Sequence, residues 1–522
     1  MSAAAVAAAE GVRLDWLLEP WMTGAPGTPG TQALADAPRA VVHGVAADSR
    51  RVRPGDLFAA LAGGTTHGLA YMDEVLVRGA AAVVWEPAPG APAEYAEAAA
   101  RRAGIPMIPM KELSRYLGAL AARFWGDPSR ALKVVAVTGT DGKTSVTHYV
   151  AGLLSALEPG APPPAVIGTL GYGAPGALVP TAMTTPDAAA LQYALAQCRD
   201  AGHRTVALEA SSHALDQHRL AGTEVDVAVL THIGRDHLDY HGTVEHYAAA
   251  KARLFADGAP GVPVLNLDDP WGRRWATRGD VLTYSADGKE ADLRATALRP
   301  TAEGLEMEVA WRGGAVQPVR LALMGRFNAA NALAAAGAAI ALGYPGEAVV
   351  DRLAALTPVP GRMERFTAPG RPLVVVDYAH TPEALRHVLE ALRGHCRGCL
   401  TAVFGCGGDR DRGKRPLMGR VAAERADAVV LTDDNPRSED GDAIVAEIAA
   451  GMGAARAPRI VRDRAEAIAW AVERAGPGDV VLVAGKGHES EQETAGVRRP
   501  FSDRETVMAI LDAAAPEGPW SR

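Results

Sequence analysis

The sequence predicts an α/β fold in more than one domain. With 522 residues, the chain is longer than one hydrophobic core ordinarily spans, so about two to four domains are expected. An apolar run at 133–137 passes directly into a glycine-rich loop and then into a helix pattern. Between residues 373 and 484, apolar runs alternate with helix patterns, which is typical of a mostly parallel sheet.

Composition and charge exclude several other classes of protein. Apolar residues make up 48% of the chain and charged residues 22%, which is typical of a soluble globular protein and not of a disordered one. The net charge of -8 provides no basic field for nucleic acid. The alanine-rich run at 329–342 is too short to cross a bilayer, so we expect no membrane insertion. Four cysteines are too few for a disulfide framework, and a cytoplasmic location is expected.

Three segments that differ in composition and hydrophobic pattern follow an N-terminal extension. Residues 1–39 are rich in Ala, Gly and Pro, and we expect them to be flexible. Residues 40–130 mix short apolar runs with turns, which indicates a small α/β domain. A central domain is predicted at 131–357 and a C-terminal domain at 358–522, with proline and glycine at 358–361 marking the joint.

The central segment contains a phosphate-binding loop. The run at 133–137 predicts a buried strand, TGTDGKTS follows at 138–145, and apolar residues then recur on one face of a helix. Backbone N–H groups at the helix N-terminus can bind phosphate, Lys143 adds a positive charge, and the Thr144 hydroxyl can reach Mg²⁺. Val137 stands where the full Walker pattern has glycine, so the loop is a variant.

Polar residues follow the other predicted strands as well. The run at 205–208 leads to Glu209, and the run at 225–230 leads to His237; these two side chains can hold Mg²⁺, although a lone loop histidine is more often just solvated. The C-terminal runs at 373–376, 400–404, 428–431 and 480–484 each end in a polar loop. Loops at the carboxyl ends of parallel strands form the ligand crevice of an open α/β sheet. Cys396, Cys399 and Cys406 near His395 lack a second ligand pair, so zinc is not expected.

These motifs resemble those of the Mur ligases, the ATP-dependent amide-forming enzymes of peptidoglycan precursor synthesis. The resemblance is carried by TGTDGKT at 138–144, EASSH at 209–213, RDHLDYHG at 235–242 and GRFN at 325–328. DYAHTP at 377–382, residues 404–414, DNPR at 434–437 and GKGHE at 485–489 resemble the members that add 2,6-diaminopimelate. The resemblance runs from about residue 48 to residue 505. It implies a UDP-binding N-terminal domain, a central P-loop domain with a parallel sheet and a Rossmann-like C-terminal domain.

The resemblance also implies a reaction and its substrates. The carboxylate of UDP-N-acetylmuramoyl-L-alanyl-D-glutamate would attack the γ-phosphate of ATP, and the amine of meso-2,6-diaminopimelate would displace phosphate from the acyl phosphate. Mg²⁺ would be the cofactor, and the protein would be a monomer that binds no nucleic acid. The implied catalytic residues are Lys143, Glu209, His237, Lys251 and Asp377, with Thr144, Glu209, His237 and Lys251 (as a carbamate) as metal ligands.

The remaining site residues are likewise implied by the resemblance, position by position. The expected ATP-binding residues are Gly139, Thr140, Asp141, Gly142, Lys143, Thr144, Ser145, Asn328, Asn331 and Arg362. Those expected to bind the UDP-muramoyl dipeptide are Ser49, Gly64, Thr65, Thr66, Thr184, Thr185, Ser211, Gln217 and Arg219. Those expected to bind diaminopimelate are Arg410, Asp434, Asn435, Pro436, Arg437, Gly485 and Glu489. The chain departs from the family at Asp141 and His232, where Asn is usual.

The acceptor can be argued from charge. Arg437 places a guanidinium in the loop with which the family reads the far end of the acceptor, and a guanidinium binds the second carboxylate of diaminopimelate but repels the ammonium of lysine. L-Lysine addition, or the reaction of a sibling Mur or folylpolyglutamate-type ligase, stays the nearest alternative. A non-catalytic nucleotide-binding protein would be expected to have lost Lys143, Glu209 or His237. A P-loop kinase would leave the C-terminal loops without a role.

Overall fold

The computed structural model describes residues 10–22, 40–256, 261–277, 279–453 and 457–513. The chain divides into two compact units. The first comprises Met1–Thr283 and Gly337–Tyr344, and the second comprises Tyr284–Ala336 and Pro345–Arg522. Within the described ranges, no helix is both long and apolar enough to span a membrane.

The first unit begins with a small four-stranded parallel sheet in the order β3-β4-β5-β6. Its strands are Gly44–Ala46 (β3), Asp56–Ala60 (β4), Ala82–Trp85 (β5) and Met107–Pro109 (β6). Successive side chains alternate between two cores: Leu57 and Ala59 pack on one face, Phe58 and Ala60 on the other. The accompanying helices are Met72–Val77, Ala93–Ala103 and Leu113–Phe124, with 3₁₀ turns at Ser49–Arg51, Gly68–Tyr71 and Pro128–Ala131.

Residues 10–22 correct the expectation of a flexible N-terminal extension. Val12–Arg13 (β1) pairs antiparallel with Val41–Val42 (β2), and the helix Leu14–Met22 follows. Leu14, Leu17 and Leu18 are completely buried, because the helix packs its apolar side into the first core of the small sheet. The rest of the predicted extension, 1–9 and 23–39, lies outside the described residues.

The larger sheet of the first unit has the strand order β12-β11-β7-β10-β8-β9. Its strands are Lys133–Thr138 (β7), Ala165–Gly168 (β8), Gly171–Gly173 (β9), Thr205–Glu209 (β10), Val227–Leu230 (β11) and Val262–Asn266 (β12). All pairs are parallel except β8 with β9. The helices of this part are Lys143–Leu157, Ala188–Asp200, Ser212–Asp216, Leu238–His241, Val244–Ala252 and Pro270–Trp275, with a 3₁₀ turn at Arg253–Phe255.

The strand register places three of the loops predicted from the sequence to carry site residues at one edge of this sheet. Glu209 at the end of β10 is paired with Val137 of β7, and Leu230 at the end of β11 is paired with Thr138. The carboxyl ends of β7, β10 and β11 are therefore neighbours, and the loops that follow them start side by side.

The second unit begins with a group of antiparallel strands. Leu282–Ser285 (β13) spans the boundary of the units, and its last two residues pair in parallel with Leu293–Thr301 (β14). Gly304–Trp311 (β15) pairs antiparallel with β14 and with Gln317–Leu321 (β16). The alanine-rich run forms the helix Phe327–Ala341, of which residues 327–336 belong to this unit. The helix Gly346–Arg352 and the 3₁₀ turn Leu353–Ala355 follow.

A six-stranded sheet with the order β17-β18-β22-β19-β20-β21 completes the second unit. Its strands are Glu364–Phe366 (β17), Leu373–Asp377 (β18), Leu400–Phe404 (β19), Ala428–Leu431 (β20), Arg459–Ile460 (β21) and Val480–Ala484 (β22), and only β17 is antiparallel. The helices are Pro382–Arg393, Lys414–Arg425, Gly441–Ala450, Arg464–Arg474 and Asp503–Ala513. A hairpin is formed by Glu491–Thr494 (β23) and Val497–Pro500 (β24). The four apolar runs identified in the sequence are confirmed as strands of this doubly covered, mostly parallel sheet.

Candidate active site

The predicted phosphate loop connects β7 to a helix that begins at Lys143. Gly139 has φ +151°, and a Cβ atom there would lie 1.8 Å from the Thr231 hydroxyl oxygen, so no larger residue fits. Gly142, with φ +82°, caps the helix, and Ser145 lies half-buried in its first turn. The Lys143 ammonium donates to the carbonyls of Gly139 and Thr140, at 3.0 and 2.8 Å. A helix N-terminus with a lysine folded over the loop is a suitable site for a phosphate chain.

Glu209, at the end of β10, is held rigidly beside this loop. The carboxylate accepts hydrogen bonds from the Thr144 hydroxyl at 3.0 Å, the Thr169 backbone N–H at 2.8 Å and the Thr169 hydroxyl at 3.2 Å. The side chain is buried, and a Cβ atom on Gly168 would lie 2.1 Å from its Oε1 atom. Thr169 was not identified from the sequence, because no motif marks a residue whose role is to orient another.

The oxygen atoms of Thr144 and Glu209 fit a small, hard cation. Mg²⁺ takes oxygen ligands and keeps most of its other positions for water and phosphate, so one hydroxyl and one carboxylate are a sufficient protein contribution. His237 lies in a left-handed conformation (φ +52°), and its ring is 4.7 Å from that of His213, centroid to centroid. In the described part of the chain, no group of three His, Cys, Asp or Glu side chains is arranged to hold a metal ion.

Lys251 reaches the phosphate loop from the helix Val244–Ala252. Its side chain is 1% exposed, and its ammonium donates to the Gly139 carbonyl at 2.7 Å. Burial, and then the nearby charge of Lys143, lower the pKa of Lys251 well below its ordinary value. The Tyr247 ring lies beneath the ammonium, and the Tyr247 hydroxyl is 3.0 Å from that of Thr140. Lys251 is therefore a buried lysine in contact with the phosphate loop and not an exposed helical one.

The two positions at which the chain departs from the family lie next to each other. His232 Nε2 is 3.5 Å from Asp141 Oδ2, and the His232 backbone carbonyl accepts a hydrogen bond from the Thr140 N–H at 2.7 Å. Both side chains are solvent-exposed in part. The acid of the phosphate loop thus has an imidazole as its neighbour.

Five residues expected to bind the sugar and peptide of the UDP-muramoyl dipeptide form a connected cluster. The Thr184 hydroxyl lies 3.1 Å from the Thr169 hydroxyl and can donate to it, since the single Thr169 proton is directed to the Glu209 carboxylate. Thr185 donates to the Glu209 carbonyl, and the Ser211 N–H donates to Thr185. Arg219 donates to the Thr185 carbonyl and to the Gln217 side-chain oxygen. The structure therefore joins Thr184, Thr185, Ser211, Gln217 and Arg219 to the Glu209 carboxylate region.

The residues expected to contact uridine follow two neighbouring strands of the small sheet. Ser49 comes after β3 and donates to the Glu74 carboxylate at 2.8 Å. Gly64, Thr65 and Thr66 come after β4 and are exposed. Because β3 and β4 are parallel neighbours, both loops start at the same edge. The structure gives the three exposed residues no contact that marks them as a binding site.

Within the second unit, Asn328 and Asn331 lie on the first turn and a half of the helix Phe327–Ala341. The Asn328 amide donates to the Met324 carbonyl at 2.8 Å, and the Asn331 amide donates to the Asn328 side-chain oxygen at 3.0 Å. Both side chains are buried. The pair is held as one rigid group by the turn at Gly325, whose carbonyl accepts a hydrogen bond from the Asn328 backbone N–H.

Asp377, at the end of β18, lies close to Arg362. Its carboxylate accepts from the backbone N–H groups of Met363 and Ala379, at 2.7 and 2.8 Å. Burial raises the pKa of Asp377, while the Arg362 charge and these two hydrogen bonds oppose that shift. The Arg362 guanidinium lies over the Tyr378 ring, 4.7 Å from its centroid.

The residues expected to bind diaminopimelate lie together at the carboxyl edge of the six-stranded sheet. Arg437 donates to the Gly408 carbonyl at 2.7 Å. A Cβ atom on Gly407 would lie 2.8 Å from Arg437 Nη1 and 3.8 Å from Arg410 Cγ, so both arginines flank this glycine. The Pro436 carbonyl packs closely against Gly408, and Asp434 Oδ2 would lie 2.5 Å from a Cβ atom on Gly485.

Glu489 has a partner that the sequence did not reveal. Lys486 is fully buried and donates to Glu489 Oε2 at 2.9 Å and to Asn435 Oδ1 at 3.1 Å. The Asn435 amide also donates to Glu489 Oε2, at 2.9 Å. One carboxylate oxygen of Glu489 is therefore committed to Lys486 and Asn435, and its charge is partly neutralised before an acceptor ammonium binds.

Comparison with known families gives three consecutive matches. Residues 41–125 match the Mur ligase family catalytic domain, residues 137–339 the Mur ligase middle domain and residues 361–487 the Mur ligase glutamate ligase domain. The three-domain α/β architecture expected from the sequence is confirmed, whereas the exact boundaries at 40, 131 and 358 stay a prediction.

Individual proteins are similar along nearly the whole chain. A UDP-N-acetylmuramoyl-L-alanyl-D-glutamate–2,6-diaminopimelate ligase from Alkalilimnicola ehrlichii is 53% identical, over 96% of this chain and 99% of its own. The protein of the same name from Pseudomonas aeruginosa is 48% identical, over 89% of this chain and 94% of its own. A solved structure of a protein with that name has a TM-score of 0.68 and 36% identity, covering 96% of this chain and 99% of its own. A MurF structure from Acinetobacter baumannii has a TM-score of 0.59 and 20% identity, and it shares the fold over 92% of this chain and 98% of its own.

Proposed function

The chain belongs to the Mur ligase family, and on that premise we propose that it adds meso-2,6-diaminopimelate to UDP-N-acetylmuramoyl-L-alanyl-D-glutamate with consumption of ATP. The relatives that carry this activity in their names are aligned over nearly their full length. The observation that carries the acceptor assignment is the cluster of Arg410, Arg437, Asp434 and Glu489 at one sheet edge. It offers both signs of charge, as a doubly zwitterionic amino acid requires.

ATP is needed because a carboxylate is a poor electrophile. In the proposed reaction the D-glutamate carboxylate attacks the γ-phosphate, which gives ADP and an acyl phosphate. The amine of diaminopimelate then attacks the acyl carbon, an amide bond forms, and phosphate leaves with the electron pair of the broken C–O bond. Lys143 stabilises the charge on the transferring phosphoryl group, and the N–H groups of the loop hold the phosphates in line.

Mg²⁺ is part of this proposal. Thr144 and Glu209 would hold the ion, with His237 assigned as a further ligand by the family pattern. When bound, it supplies positive charge that neutralises the phosphates. Thr169 keeps the Glu209 carboxylate turned toward Thr144, so the chain holds this oxygen pair preorganised.

The burial of Lys251 supports its proposed modification to a carbamate. A carbamate forms when a neutral amine attacks CO₂, and burial beside Lys143 favours the neutral amine. The modification replaces a cation with an anion, which suits a position next to bound Mg²⁺.

The decisive assay is phosphate release from ATP in the presence of the UDP-muramoyl dipeptide. We expect fast release with diaminopimelate, far slower release with L-lysine and background release without an acceptor. Lys143→Ala is the control for the phosphate loop, and it should abolish release with every acceptor. Equal release with lysine and diaminopimelate would contradict the acceptor assignment, and acceptor-independent release would contradict ligase chemistry. A monomeric state and a cytoplasmic location remain further predictions of this proposal.

A further inference from the structure

His395 is a buried histidine that the proposed reaction does not use. It follows the helix Pro382–Arg393 and is 4% exposed. Its Nδ1 atom lies 2.6 Å from the Thr301 carbonyl, and its Nε2 atom lies 2.9 Å from the Gly325 backbone nitrogen. The sequence drew attention to it only as a neighbour of three cysteines, and the described residues contain no metal-binding group of that kind.

The two contacts determine which nitrogen carries the proton. A carbonyl oxygen can only accept, so Nδ1 must donate to Thr301. The Gly325 N–H can only donate, so Nε2 must accept and therefore has no proton. Burial and the nearby Arg365 charge lower the pKa of His395, opposed by the hydrogen bond to Thr301, which agrees with a neutral ring. The imidazole is thus a rigid bridge between two backbone groups.

The bridge ends at the turn that carries the two nucleotide-side asparagines. The Gly325 carbonyl accepts from the Asn328 backbone N–H at 2.9 Å, and the Asn328 side chain accepts from Asn331. Gly325 has φ +82°, and a Cβ atom there would lie 2.8 Å from the Phe327 ring. The peptide between Met324 and Gly325 continues the bridge, because its N–H donates to His395 and its carbonyl accepts from the Asn328 amide, whose oxygen accepts from Asn331.

We propose that His395 is a positioning residue for nucleotide binding, which orients the Gly325 peptide and, through it, the amides of Asn328 and Asn331. The inference rests on the proposed function, because that function places ATP at these asparagines. The hydrogen bond that His395 Nε2 accepts from the Gly325 N–H is the critical contact, since Gly325 lies in the turn that leads to Asn328 and Asn331. The bond from Nδ1 to Thr301 serves to anchor the ring.

Two substitutions separate these contacts. In His395→Gln, the side-chain amide extends to the position of Nε2, and its oxygen can accept from the Gly325 N–H. In His395→Asn, the shorter amide reaches only the position of Nδ1 and can donate to Thr301. Each variant loses one buried hydrogen bond, so a purely structural role predicts similar losses of Tm. A positioning role predicts different nucleotide affinities.

The test is the Kd for ATP, measured by calorimetry, together with KM and kcat from the phosphate-release assay. We expect His395→Asn to raise the Kd and the KM for ATP about tenfold with little change in kcat, and His395→Gln to stay within about threefold of the wild type. Equal Kd values for the two variants would overturn the inference. If His395→Asn does not fold, His395→Met replaces it, since it fills similar volume and supports neither bond, and a wild-type Kd for it would also overturn the inference.

The same measurements keep the two proposals apart. A wild-type protein that binds ATP but releases no phosphate with diaminopimelate would contradict the proposed function, while the Kd comparison would still test His395. A wild-type protein that is active, with variants that bind ATP equally well, would refute only the role of His395.

Discussion

Two groups of residues at the phosphate loop have environments that bear directly on the proposed chemistry. They are Lys251 and the pair formed by Asp141 and His232. Lys251 is a nearly inaccessible ammonium beside a second lysine, an arrangement that costs free energy unless the charge is removed. Asp141 adds a negative charge to a loop built to bind phosphates. The positive charge of Lys251 is disfavoured by burial and by Lys143, and the negative charge of Asp141 is disfavoured when phosphate binds.

We predict that Lys251→Ala lowers kcat at least about a hundredfold, because the carbamate that would help to hold Mg²⁺ beside the phosphates is lost. A short-chain carboxylic acid should restore part of the activity by occupying the space of the carbamate. The measurement is phosphate release with and without the acid. Lys251→Arg, which cannot form a carbamate, is the matched control and should also be inactive. An active Lys251→Arg protein would contradict the modification.

For the exposed pair, we predict that Asp141→Asn lowers the KM for ATP about two- to fivefold at low salt, since a charge that repels phosphate is removed. His232→Asn should change that KM by less than about twofold, because partial burial lowers the pKa of His232, so a neutral ring is replaced by a neutral amide. The double variant should therefore resemble Asp141→Asn. Steady-state kinetics at two salt concentrations provide the measurement. A rise in KM for His232→Asn that disappears in the double variant would mean instead that a charged imidazole offsets Asp141.

Among the elements of the second unit, an ion pair between two helix N-termini holds the loops at 434–437 and 485–489, to which we assign the acceptor. Arg464 begins one helix and Asp503 another, both are fully buried, and the guanidinium donates to both carboxylate oxygens at 2.7 and 2.8 Å. Arg464 also donates to the carbonyls of Ala484 and Asp433, which immediately precede the 485–489 and 434–437 loops. The pair therefore sets the spacing of the two loops.

We predict that Asp503→Asn lowers the free energy of unfolding by about 3–5 kcal/mol, because it leaves a buried guanidinium without its counter-charge. Arg425→Ala, which breaks an exposed pair with Glu390, should cost less than about 1 kcal/mol and is the control. Urea denaturation measures both. The double variant Arg464→Met/Asp503→Leu should recover much of the stability but raise the KM for diaminopimelate. An unchanged KM would mean that the pair does not position the loops.

At the scale of the whole molecule, nucleotide phosphates and the acceptor are assigned to different compact units. The phosphate loop belongs to the first unit and the arginine cluster to the second. Substitutions in one cluster should therefore change the kinetic constants of its own substrate. Separate effects on the constants for ATP and for the acceptor would distinguish a ligase with two such sites from a protein with a single nucleotide site.

We predict that Arg437→Ala lowers kcat/KM for diaminopimelate about 30- to 1000-fold, because the second carboxylate of the acceptor loses its guanidinium. The Kd for ATP should not change. Arg320→Ala, at an exposed arginine of the same unit, should alter neither constant. Steady-state kinetics at varied diaminopimelate concentration give kcat/KM, and calorimetry with ATP gives the Kd, so the two effects are measured separately. Unchanged turnover of diaminopimelate would remove the charge argument for the acceptor.

Much of the fold follows from local patterns. The runs at 400–404, 428–431 and 480–484 coincide with strands, since parallel strands buried on both faces are uninterrupted apolar segments. The helix after the phosphate loop buries Val146, Val150 and Leu153 as its periodicity predicts. The helix Leu14–Met22 was missed, because its composition resembles that of the segments around it and its stability comes from packing on a core distant in sequence.

The α/β class, the phosphate loop and the strand-end motifs could be predicted from the sequence, because each depends on residues within a few positions of one another. Which side chains from different motifs touch became known from the folded structure. It placed Thr169 on Glu209, Lys486 on Glu489 and His395 on Gly325. The third of these contacts joins residues 70 positions apart, and even the second depends on the loop geometry that also brings in Asn435. Such partners are set by strand order and packing, which a one-dimensional pattern of side chains does not encode.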